Sequence, residues 1–170
     1  TEPERPDSDA GVLFMHNEGY STMCGHGILA VVPMALERGL IVPRGGSGVV
    51  VLDAPAGQIR ARAEIRRDGD RPRVERVSFV NVPSFTLCAS VPVRIGAREI
   101  RADVAFGGAF YAIVDAESAG MAVRPEHLSE LRRAGMVIKH AVEAAVPVVH
   151  PGEPQLRGIY GTIFTGPPSS

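Results

Sequence analysis

Hydrophobic residues in the first part of the chain follow two patterns, and each pattern predicts a different element. Residues 11–16 are mostly apolar and predict a short strand. Residues 28–36 are apolar on all sides, which is typical of a buried helix. A polar pair and then Gly39 follow this run and predict its end, whereas Pro33 in its interior predicts a kink.

A pair of strands is predicted by the alternation of apolar and charged residues at positions 58–66. The apolar face would consist of Ile59, Ala61, Ala63 and Ile65, and the charged face of Arg60, Arg62, Glu64 and Arg66. Residues 67–70 are typical of a hairpin turn, and residues 73–82 would form the returning strand. Before this pair we predict a flexible glycine turn at 45–48, a strand at 49–52 and a second turn at 53–57.

The second half of the chain predicts a hairpin, a further strand, a helix and a last strand. The hairpin would join residues 85–93 to residues 99–106 through a turn at Gly96. A strand follows at 110–114. From Pro125 the apolar residues are spaced three and four apart, which predicts an amphipathic helix, with Gly135 as a point where it would break in two. Residues 159–165 predict the final strand.

Composition limits the classes of protein that the chain can represent. It has 170 residues, 45% of them hydrophobic, which is enough for one domain or two small ones. The net charge of −1 gives no reason to expect nucleic acid or an anionic membrane as a partner. No apolar run approaches the roughly 20 residues of a membrane span, and the polar start does not resemble a signal peptide. With two cysteines far apart, we expect a reduced, cytoplasmic protein.

The segment whose residues most clearly indicate catalytic chemistry surrounds Cys24, directly before the predicted apolar helix. The first turn of a helix has unpaired N–H groups and partial positive charge, which favour a thiolate and can hold a substrate carboxylate. Gly25 and Gly27 carry no Cβ, so we expect a ligand to approach the backbone closely there. The alternative is a buried free cysteine that only caps a core helix.

The residues around this cysteine resemble the first catalytic segment of the proline racemase superfamily. They read His16-Asn17-Glu18-Gly19-Tyr20-Ser21-Thr22-Met23-Cys24-Gly25-His26-Gly27. The superfamily includes proline racemase, 4-hydroxyproline epimerase and trans-3-hydroxy-L-proline dehydratase. The resemblance implies an α+β, diaminopimelate-epimerase-like fold, in which curved, mostly antiparallel sheets wrap around a central helix and the active site lies between two lobes.

On this resemblance, the chain is a piece of a longer protein with an incomplete second lobe. We expect residues 1–11 to be a flexible polar tail or loop. Residues 12–88 would be the first lobe, with the central helix after Cys24, and residues 89–170 part of the second. Two later segments also resemble the family. Residues 103–112 contain the glycine pair Gly107 and Gly108, and residues 160–164 are similar to the dehydratase branch.

The resemblance also implies roles for individual residues and a chemistry without metal or organic cofactor. Cys24 would take the α-proton of an imino acid, and Gly25 and His26 would hold its carboxylate. Gly107 and Gly108 would allow the substrate to approach the backbone, although a tight strand connection without a ligand explains them equally well. The second catalytic residue would lie outside this chain, as cysteine in racemases and epimerases and as threonine in dehydratases.

Several alternatives remain open at the level of sequence. Dehydration of trans-3-hydroxy-L-proline is our preferred reaction, with proline racemase or 4-hydroxyproline 2-epimerase as the alternative. A truncated homologue that only binds, and a thiol hydrolase, are alternatives of other classes. Cys88 lies in an apolar strand and is interpreted as a core residue, and no histidine has the spacing of a zinc ligand with Cys24. The expected partner is a small imino acid, with neither nucleic acid nor membrane, and a homodimer stays an open alternative.

Overall fold

A computed structural model describes residues 1–43, 48–68 and 71–168. The chain divides into two compact units, Thr1–Pro83 and Ser84–Ser170. Each unit contains a four-stranded sheet and one helix of more than ten residues. The glycine turn predicted at 45–48 and the hairpin turn predicted at 67–70 lie largely outside the described residues, so neither turn can be compared with the structure.

The first unit is built on a sheet with the strand order β1-β4-β5-β6 and a separate hairpin of β2 and β3. In chain order the elements are β1 (Ala10–Gly11), β2 (Phe14–His16), β3 (Gly19–Ser21), α1 (Gly25–Glu37), β4 (Val49–Ala54), β5 (Gly57–Asp68) and β6 (Arg71–Val80). β1 pairs with β4 in parallel, whereas β4, β5 and β6 are antiparallel. The predicted pair of antiparallel strands is therefore confirmed.

Helix α1 begins directly after Cys24 and continues through Pro33 to Glu37. It ends as the glycine predicts. Gly39 has a φ of +66°, its N–H donates to the carbonyl of Leu36, and the N–H of Leu40 donates to the carbonyl of Ala35. This pair of hydrogen bonds satisfies carbonyls that the end of a helix would leave without a partner.

The expectation that α1 is buried on all sides is wrong. One face packs against β5 and β6, and its buried residues are Ile28, Val32, Ala35 and Leu36. On the other face Leu29 is 43% exposed and Met34 is 50% exposed. An apolar composition predicts that a helix prefers burial, but the number of faces that are covered depends on how many layers pack against it.

The inner face of β5 follows the predicted alternation up to a bulge. Ile59 and Ala61 are fully buried, but Ile65 is 38% exposed instead of buried. The pairing of β5 with β6 shifts register between Glu64 and Ile65. Because a shift of one residue turns a side chain to the other side of the sheet, the bulge explains why the alternation ends there.

The first nine residues form a loop that is attached to β4 through the carboxylate of Asp53. This carboxylate is 7% exposed and accepts hydrogen bonds from the N–H groups of Glu4 and Arg5, from the Arg5 guanidinium and from Ser8 Oγ. Burial by itself would raise the pKa of Asp53, but these donors together hold that pKa below its ordinary value of 3.8. The sequence predicts a turn at Asp53, whereas the residue lies in β4.

The second unit has the strand order β10-β9-β8-β7. Its elements are β7 (Phe85–Ile95), β8 (Arg98–Phe106), β9 (Phe110–Asp115), α2 (Leu128–Ala145), which follows a 3-10 turn at Pro125–His127, and β10 (Ile159–Thr165). β10 pairs with β9 in parallel and the other pairs are antiparallel. The hairpin at Gly96, with a φ of +59°, and the last strand are confirmed.

Helix α2 is continuous, so the break expected at Gly135 is wrong. The side chain of Thr162 in β10 donates a hydrogen bond to the carbonyl of Gly135 over 2.8 Å. A Cβ at Gly135 would lie 3.5 Å from Cβ of Thr162 and 3.6 Å from the ring of Phe164. The glycine therefore marks a place where β10 lies close to the helix, and helical backbone geometry is retained.

Candidate active site

The segment that surrounds Cys24 consists of a hairpin, a turn and the start of α1. In the hairpin Met15 pairs with Tyr20, and both side chains are more than two-thirds exposed. Gly19 closes the turn with a φ of +136°, a conformation that favours glycine. After the hairpin, Oγ of the buried Ser21 donates to the carbonyl of Met23 over 2.8 Å and turns the chain toward the helix.

Cys24 is the N-cap residue of α1, as the sequence predicts. Its backbone is extended, with φ −143° and ψ 108°, and its carbonyl accepts the first helical hydrogen bond from the N–H of Ile28 over 3.0 Å. The residue is half-buried, and its sulfur accepts a hydrogen bond from the N–H of Gly27 over 3.3 Å. A hydrogen-bond donor and the positive end of a helix both stabilise negative charge on such a sulfur.

The two glycines at the start of α1 lie against aromatic rings of the same unit. A Cβ at Gly25 would lie 3.3 Å from Cζ of Phe79, and a Cβ at Gly27 would lie 2.5 Å from Cε1 of Phe14. The expectation that Gly27 is small so that a ligand can approach is therefore wrong, because the ring of Phe14 already takes that space. Neither ring was predicted to contact the helix start.

A main-chain hydrogen bond attaches the Cys24 segment to the sheet. The carbonyl of Thr22 accepts from the N–H of Ala56, which lies in the tight turn between β4 and β5, over 3.0 Å. Sequence reasoning missed this contact, because a bond between two main chains leaves no side-chain signal. Its consequence is that the turn after β4 helps to determine where the cysteine stands.

His26 lies in the first turn of α1, two residues after Cys24, and its side chain is exposed. The structure therefore places Cys24, Gly25 and His26 in one helix start, with free access to His26 from solvent. Its proposed contact with a carboxylate stays a prediction.

Gly107 and Gly108 form the turn between β8 and β9 in the second unit. The N–H of Gly107 donates to the carbonyl of Ala109 over 3.2 Å, and Gly108 has a φ of +104°. Gly107 is exposed, and a Cβ at this position would have no atom within 4 Å. Unlike Gly27, this glycine has room for a side chain.

The third family-like segment lies in β10, where its polar groups are engaged inside the unit. The ring of Tyr160 stacks edge-on against that of Tyr111 with 5.6 Å between the ring centres. The hydroxyl of Thr162 is used by the helix, as described above. Tyr160 and Thr162 therefore have a role in packing β10 against β9 and α2.

Cys88 is half-buried in β7 opposite Val104, next to two irregularities in the pairing of β7 with β8. Among residues 1–43, 48–68 and 71–168, no three His, Cys, Asp or Glu side chains are close enough to hold a metal ion. In the same part of the chain, no helix is long and apolar enough to cross a membrane.

Fold and site together define an α+β protein of two sheet-and-helix units, with a cysteine at the N cap of an apolar helix. A model of the proline racemase family matches residues 1–170. The chain belongs to the proline racemase family, and the fold class expected from the resemblance is confirmed by similar solved structures.

Relatives of known name are similar over almost the whole chain. The chain is 46% identical over 168 residues to a trans-3-hydroxy-L-proline dehydratase of Bacillus cereus. The aligned region covers 99% of this chain and 49% of the relative. It is 41% identical over 169 residues to the dehydratase of the same name from Azospirillum brasilense, with the same two shares covered. The chain thus spans about half the length of the curated relatives that it matches.

Two solved structures agree in fold. A probable proline racemase of Agrobacterium radiobacter with bound carbonate has a TM-score of 0.84 and 32% identity, over 96% of this chain and 47% of that one. A hydroxyproline epimerase of Agrobacterium vitis with bound trans-4-hydroxy-L-proline has a TM-score of 0.83 and 30% identity, over 95% and 47%.

Proposed function

We propose that this chain is part of a cofactor-independent enzyme that removes the α-proton of proline or a hydroxyproline, with trans-3-hydroxy-L-proline dehydration as its preferred reaction. The observation that carries the proposal is the position of Cys24. A half-buried cysteine at the N cap, with a donor N–H 3.3 Å from its sulfur, is well suited to act as a thiolate base. The names of the dehydratase relatives support the choice of substrate.

In this reaction the thiolate of Cys24 takes the proton from the α-carbon and becomes a thiol. The electron pair of the broken C–H bond forms a double bond to C3, and the C3–O bond breaks. The hydroxyl takes a proton from solvent and leaves as water, and the thiol of Cys24 afterwards gives its proton to solvent, which restores the thiolate. The enamine that remains then gains a proton at C3 and loses one from nitrogen, which gives the imine.

The substrate carboxylate would be held at the start of α1, by Gly25 and His26. Free N–H groups and the helix dipole at this end attract an anion, and they gain further strength as negative charge develops next to the carboxylate. A substrate-binding role for Gly107 and Gly108 rests on the family resemblance alone.

Proline racemase or 4-hydroxyproline 2-epimerase activity is the second candidate, because a solved relative holds trans-4-hydroxy-L-proline. Here a second residue would return a proton to the opposite face of the same carbon. The family resemblance assigns that role to a residue outside this chain, cysteine for proton return and threonine for dehydration.

The test uses the full-length protein in deuterated water with trans-3-hydroxy-L-proline, trans-4-hydroxy-L-proline and L-proline as separate substrates. Nuclear magnetic resonance follows exchange of the α-hydrogen, loss of the 3-hydroxyl and inversion. We expect Cys24→Ser to abolish exchange and Cys88→Ser, which changes the other half-buried cysteine, to retain it.

Exchange by Cys24→Ser at the wild-type rate would exclude Cys24 as the base. If wild type binds the three compounds without exchange and Cys24→Ala binds equally well, the protein is a binding homologue. An acyl-enzyme on Cys24 after incubation with an activated ester would instead support a thiol hydrolase.

We also propose that the 170-residue chain has no turnover by itself, since the second catalytic residue would be missing. Turnover by the purified chain would overturn this. A cytoplasmic location and a homodimer complete the proposal, and both are open to direct measurement by fractionation and by light scattering.

A further inference from the structure

Two hydrogen bonds hold the peptide groups on either side of Cys24. The carbonyl of Met23, which belongs to the peptide group before Cys24, accepts from Oγ of Ser21 over 2.8 Å. The carbonyl of Cys24, which belongs to the peptide group after it, accepts from the N–H of Ile28 over 3.0 Å. Because a peptide group is planar, holding its carbonyl also holds the direction of the adjoining bonds to Cα. The φ and ψ of Cys24, −143° and 108°, are therefore restrained from both sides.

Once the backbone of Cys24 is restrained, the position of its sulfur depends on a single torsion of the side chain, χ1. The N–H of Gly27 donates to the sulfur over 3.3 Å and favours one rotamer. This bond requires the extended backbone of an N-cap residue, which directs the side chain toward the first turn of the helix. The hydrogen bond of Ser21 and the hydrogen bond to the sulfur are thus linked through the backbone of Cys24.

Ser21 is the donor of this arrangement that a substitution can remove. The other donors are main-chain N–H groups, including that of Ala56, which donates to the carbonyl of Thr22 over 3.0 Å. Ser21 is 6% exposed and ends β3, where it pairs with Phe14 of β2. Because the residue is buried, solvent competes little for its hydrogen bond, and the hydroxyl is directed to the main chain of the protein.

We propose that Ser21 is a positioning residue for the thiolate of Cys24 in the removal of the α-proton. This rests on the proposed function, in which Cys24 is the base. Ser21 touches neither substrate nor reacting atoms in this scheme. It holds the carbonyl of Met23, and through the peptide group before the cysteine it keeps the sulfur within reach of the N–H of Gly27. All of these residues lie in the first unit.

The test compares two substitutions of Ser21 with one matched control. Ser21→Ala removes the hydroxyl, whereas Ser21→Thr keeps it on a residue type that strands favour. Ser118→Ala is the control, because Oγ of the exposed Ser118 also donates to a main-chain carbonyl over 2.8 Å, that of Asp115 in the second unit.

Alkylation by iodoacetamide at neutral pH reports on the sulfur without any need for activity. Mass spectrometry of peptides from the full-length protein gives a separate rate for Cys24 and for Cys88, the reference cysteine in the second unit. We expect Ser21→Ala to slow the alkylation of Cys24 about fivefold, since a sulfur that loses its N–H donor is less often a thiolate, and to leave Cys88 unchanged. Ser21→Thr and Ser118→Ala should react like the wild type at both cysteines.

Exchange of the substrate α-hydrogen in deuterated water measures the consequence for the reaction. We expect about tenfold lower kcat in Ser21→Ala with KM within about twofold, because a displaced base weakens the transition state and leaves substrate binding intact. Ser21→Thr should restore most of kcat.

A residue that is important only for folding would behave differently, since an unfolded chain exposes both thiols. Faster alkylation of Cys24 and Cys88 together in Ser21→Ala would therefore overturn the proposal. An unchanged rate at Cys24 or an unchanged kcat would overturn it as well, and so would a Ser21→Thr variant that behaves like Ser21→Ala. If the full-length wild type exchanges no α-hydrogen, the proposed function fails, while the alkylation rates still show whether Ser21 positions the sulfur.

Discussion

The main-chain N–H of Gly27 donates a hydrogen bond to the sulfur of Cys24 over 3.3 Å. The same glycine lies directly under the ring of Phe14, where a Cβ would be 2.5 Å from Cε1. Phe14 of hairpin β2–β3 therefore packs against Gly27, the residue whose N–H donates to the sulfur. Gly27 consequently takes part both in the hydrogen bond to the Cys24 sulfur and in the packing of the hairpin.

Replacement of Gly27 by alanine tests this arrangement. Alanine favours a helix over glycine by up to about 1 kcal/mol, but overpacking against Phe14 costs about 1–3 kcal/mol. We expect a net loss in the free energy of unfolding of up to about 2 kcal/mol, measured by urea denaturation of the chain. In a Phe14→Ala background the same change should stabilise the chain, since the ring is gone. Equal effects in both backgrounds would show that the ring does not oppose the Cβ.

The lowered pKa of Asp53 predicts how the free energy of unfolding depends on pH. Its pKa is held below 3.8 in the folded chain, so the carboxylate stabilises the folded state above that value. The contribution is lost as the pH falls below about 4 and through the lower folded pKa, because protons then bind the unfolded chain more readily. Asp53→Asn should lose about 1–3 kcal/mol at neutral pH and show a smaller acid-dependent loss of stability than wild type.

Asp7→Asn is the matched control for this experiment, because Asp7 is an exposed carboxylate in the same loop. Thermal unfolding between pH 3 and pH 7 would compare the three proteins. Parallel curves for wild type and Asp53→Asn would mean that the four donors around Asp53 do not favour its charged form.

Local patterns predicted the elements that depend on nearest neighbours in sequence. The alternation in β5 as far as the bulge at Glu64 and Ile65, the glycine that ends α1 and the bounds of β10 follow from periodicity and turn chemistry, and they agree with the structure. The helix start at Cys24 was predictable for the same reason. A short glycine-containing segment followed by an apolar run is a local signal.

Contacts between distant segments could not be predicted in this way. Nothing in the residues near Asp53 indicates that Ser8 and Arg5 will donate to it, and nothing near Gly27 indicates Phe14. The exposed face of α1 was missed because composition does not tell which layers cover a helix. Each of these errors concerns packing between elements, for which a single sequence carries little information.

Gly135 offers a direct test of the correction to α2. Since a Cβ there would meet Thr162 and Phe164 at ordinary contact distances of 3.5 and 3.6 Å, alanine fits without displacement. We expect Gly135→Ala to raise the free energy of unfolding by about 0.5–1 kcal/mol, as helix propensity requires. Urea denaturation measures this change, and Gly39→Ala serves as the contrast. Because Gly39 has a φ of +66°, alanine at that position should destabilise the chain. A destabilised Gly135→Ala would mean that β10 needs more room at the helix.

The last prediction concerns the hydroxyl of Thr162, which donates to a carbonyl that is already part of helix α2. Thr162→Val removes the 2.8 Å hydrogen bond to Gly135 and keeps the shape of the side chain. The carbonyl of Gly135 can still accept the N–H of the following helical turn, so it does not become an unpaired buried group. The loss should therefore stay near 1 kcal/mol and not reach the larger cost of an orphaned carbonyl. Thr86→Val, on the exposed side of β7, should change stability by less than about 0.5 kcal/mol. If Thr162→Val costs no more than Thr86→Val, the bond between β10 and α2 contributes nothing measurable, and their packing depends on apolar contacts alone.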